Sequence, residues 1–122
     1  MNPGILVYGY DKHDADLIHE SITQTLQKPV FVTSAINNES ETINTLIDQQ
    51  HQNKFEEKDT KILMFISINN EEIQQILKVF PISVKRPIFC GLTEHNISWP
   101  FTNLKEHLLE EQAYWDQQKN KK

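Results

Sequence analysis

Short apolar runs alternate along this chain with longer stretches in which apolar residues recur every three or four positions. The runs are nearly continuous, which is typical of strands covered on both faces of a sheet. They predict four strands, at residues 5–10, 29–33, 61–68 and 87–92. The periodic stretches predict four helices, at residues 11–27, 41–50, 70–80 and 100–117. Residues 51–60 are hydrophilic apart from Phe55 and predict a mobile loop or a frayed helix end.

This alternation of strands and helices predicts an α/β fold. Strand–helix–strand units imply a mainly parallel sheet with helices on both of its faces. We expect a small single-domain sandwich over residues 1–117 and a disordered tail over residues 118–122. The expected strand order is 2-1-3-4, as in a truncated flavodoxin-like or receiver-like sheet, and a ferredoxin-like α+β arrangement is the alternative. No internal repeat is visible in the sequence.

The charge and the cysteine content of the chain narrow the classes of partner and location. The 122 residues carry a net charge of -5, and the basic residues are scattered or lie in the C-terminal tail. We therefore expect neither nucleic-acid binding nor docking on an anionic membrane. A single cysteine excludes an intramolecular disulfide, and the chain shows neither a signal-peptide pattern nor the roughly 20 apolar residues of a membrane span. These features predict a soluble, cytoplasmic protein.

Polar side chains follow the predicted strands at their carboxyl ends. Asp11 follows the first strand, Asn69 follows the third, and Thr93, His95 and Asn96 follow the fourth. In a parallel sheet these ends meet at one edge, where ligands bind and where helix N-termini supply donors. They are therefore candidates for a small-ligand or anion site. The same residue types also cap helices and close turns, and that interpretation is the favoured one.

The sequence lacks the motifs of the common catalytic classes. It has no glycine-rich nucleotide-binding motif, and a receiver-type phosphorylation site would need an aspartate where Ser67 stands. No two histidines are spaced four apart, as a helical metal site would require. Cys90 and His95 could act as nucleophile and base, but a thiol inside an apolar strand is usually unreactive. We predict no cofactor and no metal, and the sequence leans against an enzyme.

Trp99 and the last helix provide the candidate interaction surface. Trp99 is either a packing anchor, which is the favoured interpretation, or an exposed platform for a ligand or partner. In the last helix, Leu109 lies about 100° around the axis from the core stripe. That stripe consists of Phe101, Leu104, Leu108 and Trp115. Such a wide apolar surface predicts contact with an unknown protein partner or a homodimer through this helix, and a broad core stripe is the alternative.

The turn before the last helix has a distinctive sequence. Leu92-Thr93, Asn96 and Trp99 follow one another at fixed spacing, and the helix then repeats leucine and glutamate. This arrangement resembles a family of small bacterial proteins that is catalogued only as a domain of unknown function. The resemblance covers roughly residues 61–115, with Pro100 after the tryptophan as a departure from the family's pattern. It implies the fold and a bacterial origin, and it implies no catalytic residues.

The sequence as a whole predicts a small cytoplasmic, non-enzymatic α/β module that acts in protein interaction or regulation. Two observations support this interpretation: catalytic groups do not converge, and the last helix is broadly apolar. A small-ligand or anion sensor at the carboxyl edge of the sheet is the alternative. An enzyme of unrecognised mechanism has the least support.

Overall fold

The computed structural model describes residues 1–49 and 54–120, with the side chains of residues 119 and 120 left aside. Strands and helices alternate in the predicted order. The elements are β1 (Gly4–Tyr8), α1 (Lys12–Leu26), β2 (Phe31–Ser34), α2 (Ile43–Asp48), β3 (Ile62–Ile66), α3 (Asn70–Lys78), β4 (Ile88–Gly91), a short 3₁₀ helix (Asn96–Ser98) and α4 (Phe101–Asn120). Helix α4 thus extends beyond residue 117, where we expected the domain to end, and residues 121 and 122 lie outside the described part.

The strands form one sheet with helices on both faces. The strand order is β2-β1-β3-β4, as predicted. Alternate residues of each strand point to opposite faces: Leu6 and Tyr8 pack with α2 and α4, whereas Ile5 and Val7 pack with α1 and α3. Both inner strands are therefore buried on both sides, which explains their continuous apolar sequences.

The centre of the sheet differs from the prediction. The pairs β1–β2 and β3–β4 are parallel, but β1 and β3 are antiparallel, with Gly4 opposite Ile66 and Tyr8 opposite Ile62. The sheet is mainly parallel, as expected, although a flavodoxin-like or receiver-like sheet would be parallel at this central pair as well. The carboxyl ends of β1 and β2 consequently lie at one edge of the sheet, and those of β3 and β4 lie at the opposite edge.

The connection from β2 to β3 causes this reversal. Helix α2 has only six residues, and at its end Asp48 borders the same surface groove as Pro3, which precedes β1. By Lys58 the chain has returned to the other end of β1, because the Lys58 N–H donates to the Gly9 carbonyl at 3.0 Å. Strand β3 therefore starts beside the end of β1. The predicted mobile loop spans this connection, and its residues 51–53 lie outside the described residues.

The two halves of the chain repeat one βαβα unit about an internal two-fold axis. Corresponding residues lie 58 positions apart in β1 and β3 and in the helices, and 57 apart in β2 and β4. Gly4 and Ile62 begin β1 and β3, Asp11 and Asn69 cap α1 and α3, and Ile43 and Phe101 begin α2 and α4. The axis passes between β1 and β3, which explains why these two strands are antiparallel. The repeat is therefore present in the fold, although none is visible in the sequence.

Hydrogen bonds that flank this axis obey the same symmetry. The Ile43 N–H donates to the Trp99 carbonyl, and the Phe101 N–H donates to the Glu41 carbonyl, both at 2.9 Å. The two halves preserve apolar character rather than residue identity. The apolar positions of α1 that face the sheet, Ala15, Ile18 and Ile22, correspond to Ile73, Ile76 and Phe80. Because only the character is preserved, the repeat escapes inspection of the sequence.

The second unit differs from the first mainly in its last helix. Helix α4 has 20 residues, whereas its counterpart α2 has six. Glu106 in α4 corresponds to Asp48, the last residue of α2. None of the described helices is both long enough and apolar enough to cross a membrane.

Candidate functional site

The structure divides the candidate ligand residues between two edges of the sheet. Asp11 follows β1, whereas Asn69 follows β3 and Thr93 follows β4. Because β1 and β3 are antiparallel, Asp11 lies at the edge opposite the other two. The single convergent site that a parallel sheet would create is therefore not assembled. The remaining candidates, His95 and Asn96, share the edge of Thr93.

Two of these candidates act as helix caps. The Asp11 carboxylate accepts a hydrogen bond from the Asp14 N–H at 2.9 Å. The Asn69 side chain accepts from the Glu72 N–H at 2.9 Å, and the Glu72 carboxylate accepts from the Asn69 N–H at 3.2 Å. This reciprocal pair is a capping box, which satisfies amides that the first turn of a helix leaves unbonded. The structure therefore supports capping for both residues.

Thr93 and Asn96 lock the turn that follows β4. The Thr93 N–H donates to Asn96 Oδ1 at 2.8 Å, and the Asn96 N–H donates to Thr93 Oγ1 at 3.0 Å. Asn96 Nδ2 also donates to the Gly91 carbonyl at 3.0 Å, and the Asn96 side chain is buried. Asn96 has a negative φ, so it stabilises the turn through its side-chain bonds rather than through a left-handed backbone. His95 is exposed and makes no capping bond.

An open groove of about 470 Å³ lies at the carboxyl ends of β3 and β4. Ser67, Asn69 and Leu92 are among its lining residues, and Ser67 has a left-handed backbone with φ 53°. The adjoining first turn of α3 carries Glu71 and Glu72, whose charges oppose an anion at this helix terminus. The groove therefore does not favour the anion expected from the sequence.

A second polar cluster at the opposite edge was missed in the sequence. Lys61 is buried, and its Nζ donates to Glu57 Oε1 at 2.9 Å and to the Lys58 carbonyl. It also lies 5.6 Å from the centre of the Tyr10 ring, and the Tyr10 hydroxyl donates to the Lys85 carbonyl. Burial raises the pKa of Tyr10, which keeps the phenol neutral as a donor. These bonds tie two irregular segments to the sheet edge, so the cluster is structural.

Cys90 lies on β4 and is half-buried. Burial raises the pKa of its thiol to about 12, because a low-dielectric environment disfavours the thiolate. At neutral pH the reactive thiolate is therefore scarce, in agreement with the interpretation of Cys90 as a small apolar residue. Within the described residues, no three side chains of histidine, cysteine, aspartate or glutamate are grouped as a metal site would need.

Trp99 is intermediate between the two predicted extremes. Its side chain is half-buried against the cluster formed by α2, α4 and the sheet. The ring meets His107 edge to face, with 5.4 Å between the ring centres. Its carbonyl accepts the Ile43 N–H beside the internal axis. These contacts support the packing interpretation for most of the side chain.

The most exposed aromatic residues lie near the end of α4. Trp115 is 58% exposed and Tyr114 is 55% exposed, and their rings meet edge to face at 5.4 Å. Leu109, which is 36% exposed, borders the start of β4 at Ile88. Trp115 borders the same strand through a groove that Ile88 and Phe89 also line. We call the set Ile88, Leu109, Tyr114 and Trp115 the β4–α4 surface, because the Phe89 side chain packs on the other face of the sheet against Phe65 and Phe80.

Our assignment of Trp115 to the buried stripe was wrong, and a length mismatch explains the error. The 20 residues of α4 span about 30 Å, whereas the four residues of β4 span about 13 Å. The helix therefore continues beyond the sheet that covers Phe101, Leu104 and Leu108. Helical spacing places Trp115 on the same side as Leu108, but there only the open groove beside the start of β4 lies next to it, and its side chain is left 58% exposed. Comparing the lengths of the predicted strand and helix could have revealed this overhang.

These features define a three-layered α/β protein in which one edge strand and one overhanging helix expose an apolar surface. Residues 61–115 match the family model described as Domain of unknown function (DUF3783). The resemblance stated from the sequence is confirmed over the expected residues, whereas the bacterial origin and the status of the turn as a family signature stay predictions. Searches of the curated proteins and of the solved structures found no match to this chain.

The matched segment corresponds closely to the second βαβα unit. It begins one residue before β3, includes α3 and β4, and ends in α4 at Trp115. All four residues of the β4–α4 surface lie inside it. The first unit, from β1 to α2, lies outside the match.

Proposed function

We propose that this protein is a non-enzymatic interaction module that binds another protein chain through the β4–α4 surface. The observation that carries the proposal is the pair of exposed aromatic residues, Tyr114 and Trp115, on a helix that extends beyond its sheet. The α4 residues of this surface lie beyond Glu106, which corresponds to Asp48, the last residue of α2. The feature that distinguishes the two otherwise equivalent halves is therefore an exposed apolar one.

The chemistry of this surface suits protein recognition. Tryptophan and tyrosine are enriched at interfaces and among the residues that contribute most to binding. Each buries about 150–250 Å² when it is covered, and each has a polar group that can bond at the rim. Leu109 extends the exposed apolar area towards the start of β4. The acidic side chains of Glu110 and Glu111 on the same helix would form part of a polar rim.

The small-ligand sensor has less support from the same structure. Its proposed residues lie at opposite edges, and Asp11, Asn69, Thr93 and Asn96 bond to nearby backbone amides. The groove beside Ser67 is open, and its flanking helix begins with two glutamates. No observation in this groove favours a ligand over solvent. A cytoplasmic location remains part of the proposal.

Site-specific photocrosslinking tests the proposed function. Benzoylphenylalanine replaces Trp115 in one variant and Gln24 in a control variant, because Gln24 is exposed on α1 on the other face of the sheet. In extract of the native host, we expect discrete crosslinked species from position 115 at much higher yield than from position 24. Equal yields from both positions, or no crosslinked species from position 115, would overturn the proposal.

A further inference from the structure

Strand β4 has an open side with backbone groups directed away from the sheet. The N–H groups of Ile88 and Leu92 donate to the carbonyls of Lys61 and Phe65, so the backbone groups of Ile88 and Leu92 point towards β3. Successive residues of a strand direct their backbone groups to opposite sides. The backbone groups of Pro87, Phe89 and Gly91 therefore point away from β3. In the described sheet, β3 is the one strand that pairs with β4.

The outward side of β4 presents a restricted set of donors and acceptors. The N–H groups of Phe89 and Gly91 are the donors, because proline at position 87 has no N–H. The carbonyls of Pro87 and Phe89 are the acceptors. The Gly91 carbonyl already accepts from Asn96 Nδ2 at 3.0 Å. The strand thus offers two donors and two acceptors in a fixed order.

We propose that the partner that pairs with the open side of β4 is a second copy of the chain. The two β4 strands run antiparallel, with the two Phe89 residues opposite each other. The inference rests on the proposed function and names the partner. In this register the two Phe89 residues exchange both of their hydrogen bonds. Each Gly91 N–H then donates to the Pro87 carbonyl of the other copy. The missing N–H of Pro87 falls opposite the Gly91 carbonyl, which Asn96 already satisfies.

Charges at the two ends of β4 favour the same antiparallel arrangement. Lys85 and Arg86 precede the strand, and Glu94 follows it. Among the described residues, none of the three side chains forms an ion pair within the chain. An antiparallel pair places the basic end of each strand beside the acidic end of the other, which is favourable at an interface. A parallel pair would instead place like charges together.

The overhanging helix enlarges the contact beyond one short strand. Trp115 and Ile88 line a groove of about 200 Å³ beside the beginning of β4. In the antiparallel pair this region meets the segment that follows β4 in the other copy, where half-buried Leu92 lies on the same face as Ile88. Both copies contribute the same residues because the arrangement has two-fold symmetry. The apolar contacts therefore supplement four backbone hydrogen bonds.

Sedimentation velocity over a range of concentrations tests this pairing with two matched variants. Gly91→Pro removes the outward donor, and proline is tolerated in edge strands whose N–H faces solvent. Gly91→Ala adds the same Cβ and keeps the N–H, and a Cβ at this position meets no atom within 4 Å. We expect a dimer for the native chain and for Gly91→Ala, and a monomer for Gly91→Pro under the same conditions.

Charge exchange provides a second test that leaves the strand itself unchanged. Glu94→Lys and Lys85→Glu each create a like-charge contact between copies, so we expect each to raise the dimer dissociation constant at least about tenfold. The double variant Lys85→Glu/Glu94→Lys restores opposite charges across the symmetric interface. We expect it to recover most of the native affinity at low salt. Failure of the double variant to recover would contradict the antiparallel pairing.

The results separate this inference from the proposed function. A native chain that stays monomeric at all concentrations overturns the dimer, as does a dimer that Gly91→Pro leaves intact. If such a monomer still crosslinks to a different protein through position 115, the proposed function stands and the inference about its partner fails. A crosslinked species of twice the chain mass that disappears in Gly91→Pro supports both.

Discussion

At the scale of single residues, the polar side chains that follow the strands bond to the backbone of this chain. Asp11 and Asn69 occupy equivalent positions in the two units, and each caps a helix. Asn96 satisfies one donor and one acceptor in the turn after β4. Hydrogen bonds of this kind have a large effect when one partner is removed, because the other is left without its bond. Substitutions at these positions should therefore reduce stability.

Asn96→Ala tests this conclusion at the turn after β4. The variant loses the bonds to the Thr93 N–H and the Gly91 carbonyl, and its buried position leaves a small void. We expect the free energy of unfolding to fall by about 1–3 kcal/mol, as measured by urea denaturation. His95→Ala is the control in the same turn, because His95 is exposed and should change stability by less than about 0.5 kcal/mol. Equal effects of the two variants would contradict this account of the turn.

At the scale of the elements, an ion pair joins the connection after α1 to the first turn of α3. Lys28 Nζ lies 2.7 Å from Glu72 Oε2, and Glu72 also completes the capping box with Asn69. The hydrogen bond from Lys28 is the main cause that lowers the pKa of Glu72, and the bond from the Asn69 backbone is the second. The Glu72 carboxylate thus links two helices that pack on the same face of the sheet.

The lowered pKa of Glu72 predicts how stability changes with pH. A carboxylate whose pKa is lower in the folded state stabilises the fold above its ordinary value of 4.5, and this contribution is lost as the pH falls through the folded value. In urea denaturation, Glu72→Gln should therefore be less stable than the native protein at pH 7. The difference should shrink below pH 4.5. Glu71→Gln, in the same turn, is the control, and a difference that does not depend on pH would contradict the role of Glu72.

The elements show which parts of the structure a local pattern can predict. The apolar runs predict the strands because β1 and β3 are covered on both faces. Helical periodicity also finds the buried side of α4, since it reports the direction in which a side chain points. It does not report where the neighbouring sheet ends, and for that reason Trp115 was placed in the core. The β4–α4 surface thus depends on the length of α4 relative to that of β4.

At the scale of the whole molecule, the internal two-fold axis determines both the sheet and the distribution of polar residues. The two parallel strand pairs are joined through β1 and β3, which are antiparallel. The carboxyl ends of the strands of one unit therefore lie at one edge of the sheet, and those of the other unit lie at the opposite edge. The direction of β3 depends on the path of a hydrophilic connection, which apolar periodicity does not encode. The sequence therefore predicted one shared ligand edge, whereas the fold has two separate edges.

The same symmetry identifies the β4–α4 surface as the main difference between the halves. Equivalent residues begin α2 and α4, but α4 alone continues as a long helix with exposed aromatic residues. The segment that matches the domain of unknown function contains this surface. We infer that the open side of β4 and the overhang of α4 together pair two copies of the chain.

Amide hydrogen exchange at individual residues of β4, measured by NMR at low and at high protein concentration, tests this claim most directly. The amides of Phe89 and Gly91 face the open side, whereas those of Ile88 and Leu92 donate to β3. We predict that exchange at Phe89 and Gly91 slows markedly as the concentration rises, while exchange at Ile88 and Leu92 changes little. Exchange rates at Phe89 and Gly91 that remain fast and independent of concentration would contradict pairing between copies along the open side of β4.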